Sequence, residues 1–447
     1  MKPKKPERSE TEDLFRARLQ NIIAPKHPLV RLAHETDWGF FEAAIEPLYA
    51  ERGRPGVPVR FMVGLHILKH TFNLSDEEVC ERWVENPYFQ YFTGEEYFCH
   101  ELPHDRSSMT RWRARVSEQE LARLLQESLR IAHKSGALRL KDLRQVTVDT
   151  TVQPKAITFP TDGKLLYRAM VRLGKLARRC GIRLRQSYLR VGKLALMKSQ
   201  RYAHAKQFRR HRREMKFLRT RLGRMIRDID RKTAGDVSLE GAFHNELALA
   251  RRVRDQQQRQ VGPKVYSLHA PEVECIGKGK PHKPYEFGVK VSVATTLNRC
   301  KGGQFAVHAK ALPGNPYDGH TLATVIPEIE KSVGAELSKI VTDAGYRGHN
   351  APKDKSFKVY VAGMKRGLTE EIKRAFRRRA AVEPVIGHLK AEHRMGRNYL
   401  GHSTGDAINA VLAAVGYNFR LLLKWLALLC AVIRGLAGNP SSMPQSA

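Results

Sequence analysis

Residues 145–152 read Gln-Val-Thr-Val-Asp-Thr-Thr-Val. The run is short and rich in β-branched residues, which predicts a strand carrying Asp149 within it or at its end. Strand-like patterns return only after about Pro263. Tyr285–Ala294 alternates, and Gly303–His308 follows the turn at Cys300–Gly302 as its hairpin partner. Leu337–Thr342 ends at Asp343, and Phe357–Ala362 is a further short strand. Pro316–Ser332 and a long stretch from Glu370 onward carry helical patterns. The order is strand, large insertion, two strands, helix, strand, short strand, helix. That is a mixed α/β domain interrupted by an insert.

The insert is the most basic part of the chain. Residues 164–232 hold 24 Lys and Arg against three acidic residues, within a total of 79 Lys and Arg against 45 Asp and Glu and a formal net charge of +34. Leu176, Leu189, Leu194, Phe208, Phe217, Leu222 and Ile226 recur through it, so it reads as helical with one apolar stripe. Charge of one sign at this density points to a polyanion, of which nucleic acid is the commonest. A hydrophobic content of 42% excludes global disorder. The six cysteines are scattered without a CxxC pair, which argues against a disulfide framework or a cysteine zinc site. A charged, polar start lacks the apolar core of a secretory signal, and the apolar stretch from about Ala407 to Leu436 is interrupted by Arg420, Lys424 and Arg434. These features lead us to expect a cytoplasmic protein without a membrane span.

Residues 1–24 read as a flexible polar lead, and residues 25–140 as a helical domain. Phe61, Leu65, Leu68 and Phe72 share a helix face, and Ser75 or Asp76 is placed to cap the next helix through Val79 and Trp83. Helix, short turn, helix is the outline of a DNA-reading motif, and also of any small bundle. In the following helix Trp112 is expected inward, and some of Arg111, Arg113 and Arg115 are expected in solvent.

Three acidic residues stand out by position. Asp149 and Asp343 lie in or at the ends of strands, and Glu383 sits on a helical segment beyond them. Carboxylates converging without histidine or cysteine form a hard-oxygen site suited to Mg²⁺ or Mn²⁺, and two such ions support phosphoryl transfer. The stretch around Glu383 runs Phe376-Arg-Arg-Arg379-Ala-Ala-Val-Glu383-Pro-Val-Ile-Gly-His-Leu-Lys390. It resembles the Y-x2-R-x3-E-x6-K signature of DDE transposases from bacterial insertion sequences, with Phe376 in place of the tyrosine. V-D-T-T-V around Asp149, P-T-D-G at Pro160–Gly163 and V-T-D-A-G-Y-R-G around Asp343 are similar to the other acidic boxes of that group. The helical N-terminal region is similar to that of transposases of insertion-sequence family 5.

The resemblance implies an RNase H-like catalytic domain, residues 141–163 and 263–420, interrupted by a basic helical insertion, 164–262, and followed by a C-terminal helix and tail, 421–447. The helical domain 25–140 would bind DNA. Asp149, Asp343 and Glu383 would be the catalytic, metal-binding triad for two Mg²⁺ ions, with Mn²⁺ able to substitute. Arg379 and Lys390 would contact DNA, and Phe376 could stack on a base where a tyrosine hydroxyl is missing. Spacings of four and seven residues place Arg379, Glu383 and Lys390 on one helix face, with a kink or a helix start expected at Pro384. The function implied is a transposase that binds the terminal inverted repeats of its element and cuts and joins double-stranded DNA, working as a homo-oligomer on it. A nuclease without joining activity and an inactive DNA-binding relic are the alternatives.

Overall fold

The structure, a computed structural model, describes residues 17–437 except 53–54, 259, 261, 278, 280, 283, 354–355 and 366, with the backbone alone for 433–437. The chain divides into two compact units, Met1–Pro154 with Val289–Ala447, and Lys155–Gly288.

Among the described residues six strands are formed: β1 (Gln145–Pro154), β2 (Glu274–Gly277), β3 (Tyr285–Thr296), β4 (Ala306–Leu312), β5 (Lys339–Thr342) and β6 (Lys358–Val361). Their order is β2-β3-β1-β5-β6, with β4 also paired to β3. In the first unit the sheet is therefore β4-β3-β1-β5-β6. β3 and β4 are antiparallel, whereas β1, β5 and β6 are parallel. β1 also runs antiparallel to β3. Leu297 N–H donates to the Gln145 carbonyl at one end and Lys155 N–H to the Phe287 carbonyl at the other, each at 2.9 Å. β1 is thus the central strand, joining an antiparallel half to a parallel half. The helix Leu322–Val333 makes the crossover that carries β4 to the parallel β5.

Several expectations need correcting. The partner of β3 lies at Ala306–Leu312 instead of 303–308, and β2 was not expected at all. The segment expected as one helix, 316–332, is a 3₁₀ turn at Asp318–Thr321 followed by Leu322–Val333. The long helix expected from Glu370 is three helices, Glu370–Arg379, Val382–Glu392 and His402–Ala437. The last runs unbroken through position 421, so no separate C-terminal segment begins there; residues 438–447 lie outside the described residues. Of the polar lead, 1–16 lie outside the described residues. Leu19 is fully buried and its N–H bonds the Glu96 carbonyl at 2.8 Å, and Ile23 is buried too, so this end of the lead is anchored at two positions.

The helix His402–Ala437 is long and apolar enough to cross a membrane by length and composition. Yet it packs against the helices Val59–Thr71 and Glu118–Lys134 and against β4, with Ala410–Val415, Phe419 and Leu422 buried. Asn418, fully buried, has its polar groups bonded there. Its Nδ2 donates to the Ala306 carbonyl (2.8 Å) and Ser128 Oγ (2.9 Å), and its Oδ1 accepts from Ala306 N–H (3.0 Å). This bond pair satisfies the backbone of β4, which would otherwise be orphaned under the helix. Gly416 lets the helix touch the chain at His70: a Cβ there would lie 2.5 Å from the His70 carbonyl carbon and oxygen. Backbone cannot yield as a side chain tip does. Gly416→Ala should therefore cost about 3 kcal/mol or more, read as a lowered urea midpoint; a neutral substitution would refute the close approach.

The helix pair of the N-terminal region has a Ser75 capping box, as the sequence suggested. The second helix of the pair presents a mainly acidic face. Val59–Thr71 is buried on nearly every face, and the exposed residues of Asp76–Glu85 are Glu77, Glu78, Glu81, Arg82 and Glu85. Four carboxylates on one short helix would repel phosphate. Arg113 is buried: it donates to both oxygens of Asp76 (3.0 and 2.5 Å), and Lys69 bonds the same carboxylate at 2.6 Å. These cations hold the Asp76 carboxyl below the usual range despite its burial.

The second unit is built on four helices, Asp162–Arg179, Leu189–His204, Phe208–Thr233 and Val237–Asp255. Leu166, Leu173, Leu218, Leu222, Ile226 and Phe243 form its core. Each fully buried side chain of this size contributes about 1.5–3 kcal/mol. Phe208 and Leu194, expected in the apolar stripe, are instead about half exposed, at 53% and 50%.

Candidate active site

β1 carries Asp149 at its centre, and β5 ends one residue before Asp343. The parallel register pairs Thr147 with Val341, so two residues further along, Asp149 and Asp343 come side by side. Asp343 caps the 3₁₀ turn Ala344–Tyr346, its Oδ1 accepting from Gly345 N–H at 3.0 Å. Asp149 Oδ1 accepts from Thr150 N–H at 2.8 Å. Burial pushes the Asp149 carboxyl up to about 6, and the neighbouring Asp343 charge adds to the rise.

A third carboxylate joins them that sequence reasoning missed. Asp318, in the turn after β4, accepts from Thr150 Oγ at 3.0 Å and from Lys290 Nζ at 2.9 Å. Gly345 permits the convergence, since a Cβ there would stand 3.1 Å from Asp343 Oδ1 and 3.4 Å from Asp318 Oδ2. Tyr346 is fully buried nearby; burial and then the charges of Asp149, Asp318 and Asp343 drive its phenol well above the usual range. Asp318 was hidden because Tyr-Asp-Gly reads as the start of a helix. Lys290 did leave a signal: it is the one cation inside the apolar alternation of β3, only 13% exposed at its side chain.

Glu383 stands apart from this group. It lies in the first turn of Val382–Glu392 with its side chain 67% exposed. Arg379 links it to the centre, with Nη1 3.5 Å from Asp149 Oδ2 and Nη2 3.7 Å from Glu383 Oε1. The single-face expectation for Arg379, Glu383 and Lys390 is corrected: Arg379 ends one helix, and Glu383 and Lys390 share the next, two turns apart. The break falls at Ala380–Ala381, ahead of Pro384, which then sits in the first turn where its missing N–H costs nothing. Phe376 is half-buried against Leu297, Val341 and Ala375, so its ring is engaged in packing instead of being offered to a base. Among the described residues, no three His, Cys, Asp or Glu side chains are gathered closely enough to hold a metal ion.

Residues 17–115 match the family model described as a transposase domain (DUF772). The chain is 51% identical over 208 residues to "Uncharacterized protein ORF8 in nfe locus" of Rhizobium meliloti, an alignment that spans 46% of this chain and 100% of that protein. No solved structure matches the chain.

Proposed function

Since the chain belongs to the family of that Rhizobium meliloti protein and its residues 17–115 are similar to a transposase domain, we propose that it is a DNA transposase of the DDE type. The observation that carries this reading is the pairing of Asp149 with Asp343 on adjacent parallel strands, with Arg379 bridging Asp149 to Glu383. The strand order β4-β3-β1-β5-β6, three antiparallel strands followed by two parallel ones, supports an RNase H-like catalytic domain into which residues of the second unit are inserted.

The Asp149–Asp343 pair fits a divalent cation, and Glu383 would have to be drawn in from its exposed position to complete the set. It is all oxygen, and the crowding of Asp149 by Asp343 in a buried place is a cost that positive charge would relieve. Asp149, Asp343 and Glu383 would hold two Mg²⁺ ions, or Mn²⁺ in their place. Bound there, the metal supplies activation of an attacking oxygen and stabilisation of the leaving one. The protein's own residues supply the rest. Arg379 offsets the charge of Asp149 and Glu383 and ties the helix of Glu383 to the central strand β1. Lys390, two turns beyond Glu383, adds a cation for the DNA backbone. No serine or tyrosine nucleophile is required.

The substrate in this reading is double-stranded DNA, at the inverted repeats of the protein's own element and at a target, engaged by at least two copies of the chain. The test is purified protein with DNA ends taken from repeats flanking the gene, Mg²⁺ and a plasmid target. Joined products that disappear with Asp343→Ala are expected. Cleavage without joining would replace the proposal with a nuclease, and binding alone would reduce it to an inactive relic.

A further inference from the structure

The second unit holds a cleft of about 1110 Å³ that the proposed chemistry does not use. Three large aromatic side chains reach solvent there: Phe159, Tyr285 and Phe208, at 66%, 55% and 53% exposure. Scattered exposed apolar residues need no explanation, but three rings lining one cleft do. Phe159 is held in place by a neighbouring ring. Phe159 meets Phe287 edge-on at 5.5 Å, and Tyr266 packs against Phe287 at 5.4 Å. Gln256 and Val265, which also line the cleft, are tied together by two bonds between the Gln256 amide and the Val265 backbone.

The charged lining groups are the cations Arg212, Arg219 and Lys264 and one carboxylate, Asp162, which lies 4.0 Å from Arg219. Arg212 is exposed at the cleft, and Gln200 and Gln257 place side-chain donors and acceptors on it. The surrounding helices belong to the segment with 24 Lys and Arg against three acidic residues, so the occupant is anionic. A DNA duplex keeps its base faces stacked inside and could offer these rings only sugar and phosphate. An unpaired strand offers base faces, which stack on aromatic rings whatever their sequence.

We propose that this cleft binds unpaired DNA, seating bases against Phe159, Tyr285 and Phe208 while neighbouring cations meet the phosphates. The proposal rests on the reading of the chain as DNA-binding, and is independent of its cleavage chemistry.

The experiment measures binding of a fluorescein-labelled oligonucleotide to the full chain by anisotropy, as a single strand and annealed as a duplex, without divalent metal. Stacking is worth about 1–3 kcal/mol per base, so the double variant Phe159→Ala with Tyr285→Ala should weaken single-strand binding by about tenfold or more. Duplex binding should stay within about twofold, and Phe159→Trp should retain single-strand affinity. Equal losses on both forms of DNA, or no loss on the single strand, would overturn the proposal. Because both rings are largely exposed, an unchanged thermal midpoint is expected and serves as the folding control. A protein that shows this selective loss but never cuts DNA would keep the proposal and refute the transposase; one that cuts and joins without it would do the reverse.

Discussion

Asp149→Asn is expected to abolish strand cleavage, by on the order of 10³-fold or more, while making the protein more stable at pH 7.5. The two effects share one cause. The Asp149 carboxyl is pushed up to about 6 by burial and by Asp343, whereas in the unfolded chain it ionises near the ordinary 3.8. A carboxyl raised on folding costs stability when ionised. The cost is absent below the unfolded value, grows as pH climbs from about 4 to about 6, and is complete above that. A two-unit displacement corresponds to about 3 kcal/mol at most, and removal of the 3.5 Å ion pair with Arg379 offsets part of it. The thermal midpoint of the Asn variant should rise by a few degrees at pH 7.5 and match the wild type near pH 4. Mg²⁺ or Mn²⁺ should raise the midpoint of the wild type and leave the variant unmoved. Persistent cleavage would remove Asp149 from catalysis; a lower midpoint at pH 7.5 would refute the burial argument instead.

The parts of this site that are legible in the sequence are those set by local pattern. A β-branched run around Asp149 can be little other than a strand, and Leu337–Thr342 leads into an aspartate followed by Ala-Gly, a turn signal. Register is not local, yet it is what sets Asp149 beside Asp343. Asp318 is invisible for the same reason: its meaning lies in an ion pair between a turn and a strand 28 residues apart. Arg113 shows the limit in the other direction. Spacing says that some of Arg111, Arg113 and Arg115 meet solvent but not which one is buried; Arg113 is, because Asp76 and His66 lie across from it and a bidentate ion pair overrides the preference of arginine for water. The helix break before Glu383 is expected at Pro384 because the ring forbids the usual bond. That it comes three residues earlier follows from where proline is tolerated, inside a first turn.

DNA affinity should collapse with salt, by about 10³–10⁵-fold between 50 and 200 mM, if six to ten phosphates are neutralised. The second unit has the surface to do it. On its helix Phe208–Thr233, Arg209, Arg210, Arg213 and Lys216 are exposed within little more than two turns, while Leu218, Leu222 and Ile226 hold the opposite side in the core. No carboxylate of comparable exposure interrupts the four, for the one acidic residue between them, Glu214, is less exposed. The N-terminal helix Asp76–Glu85 shows an anionic surface instead, so under the proposed function the second unit is expected to supply more of the electrostatic attraction than that helix. Replacing the four cations together by alanine should flatten the plot of log affinity against log salt by about three to four, near 0.9 for each phosphate that is no longer neutralised. It should leave the thermal midpoint in place, because none of the four is part of the core. A slope that does not change would mean that this face meets another protein surface, and the phosphate-binding cations would have to be sought around Lys390 and Arg379.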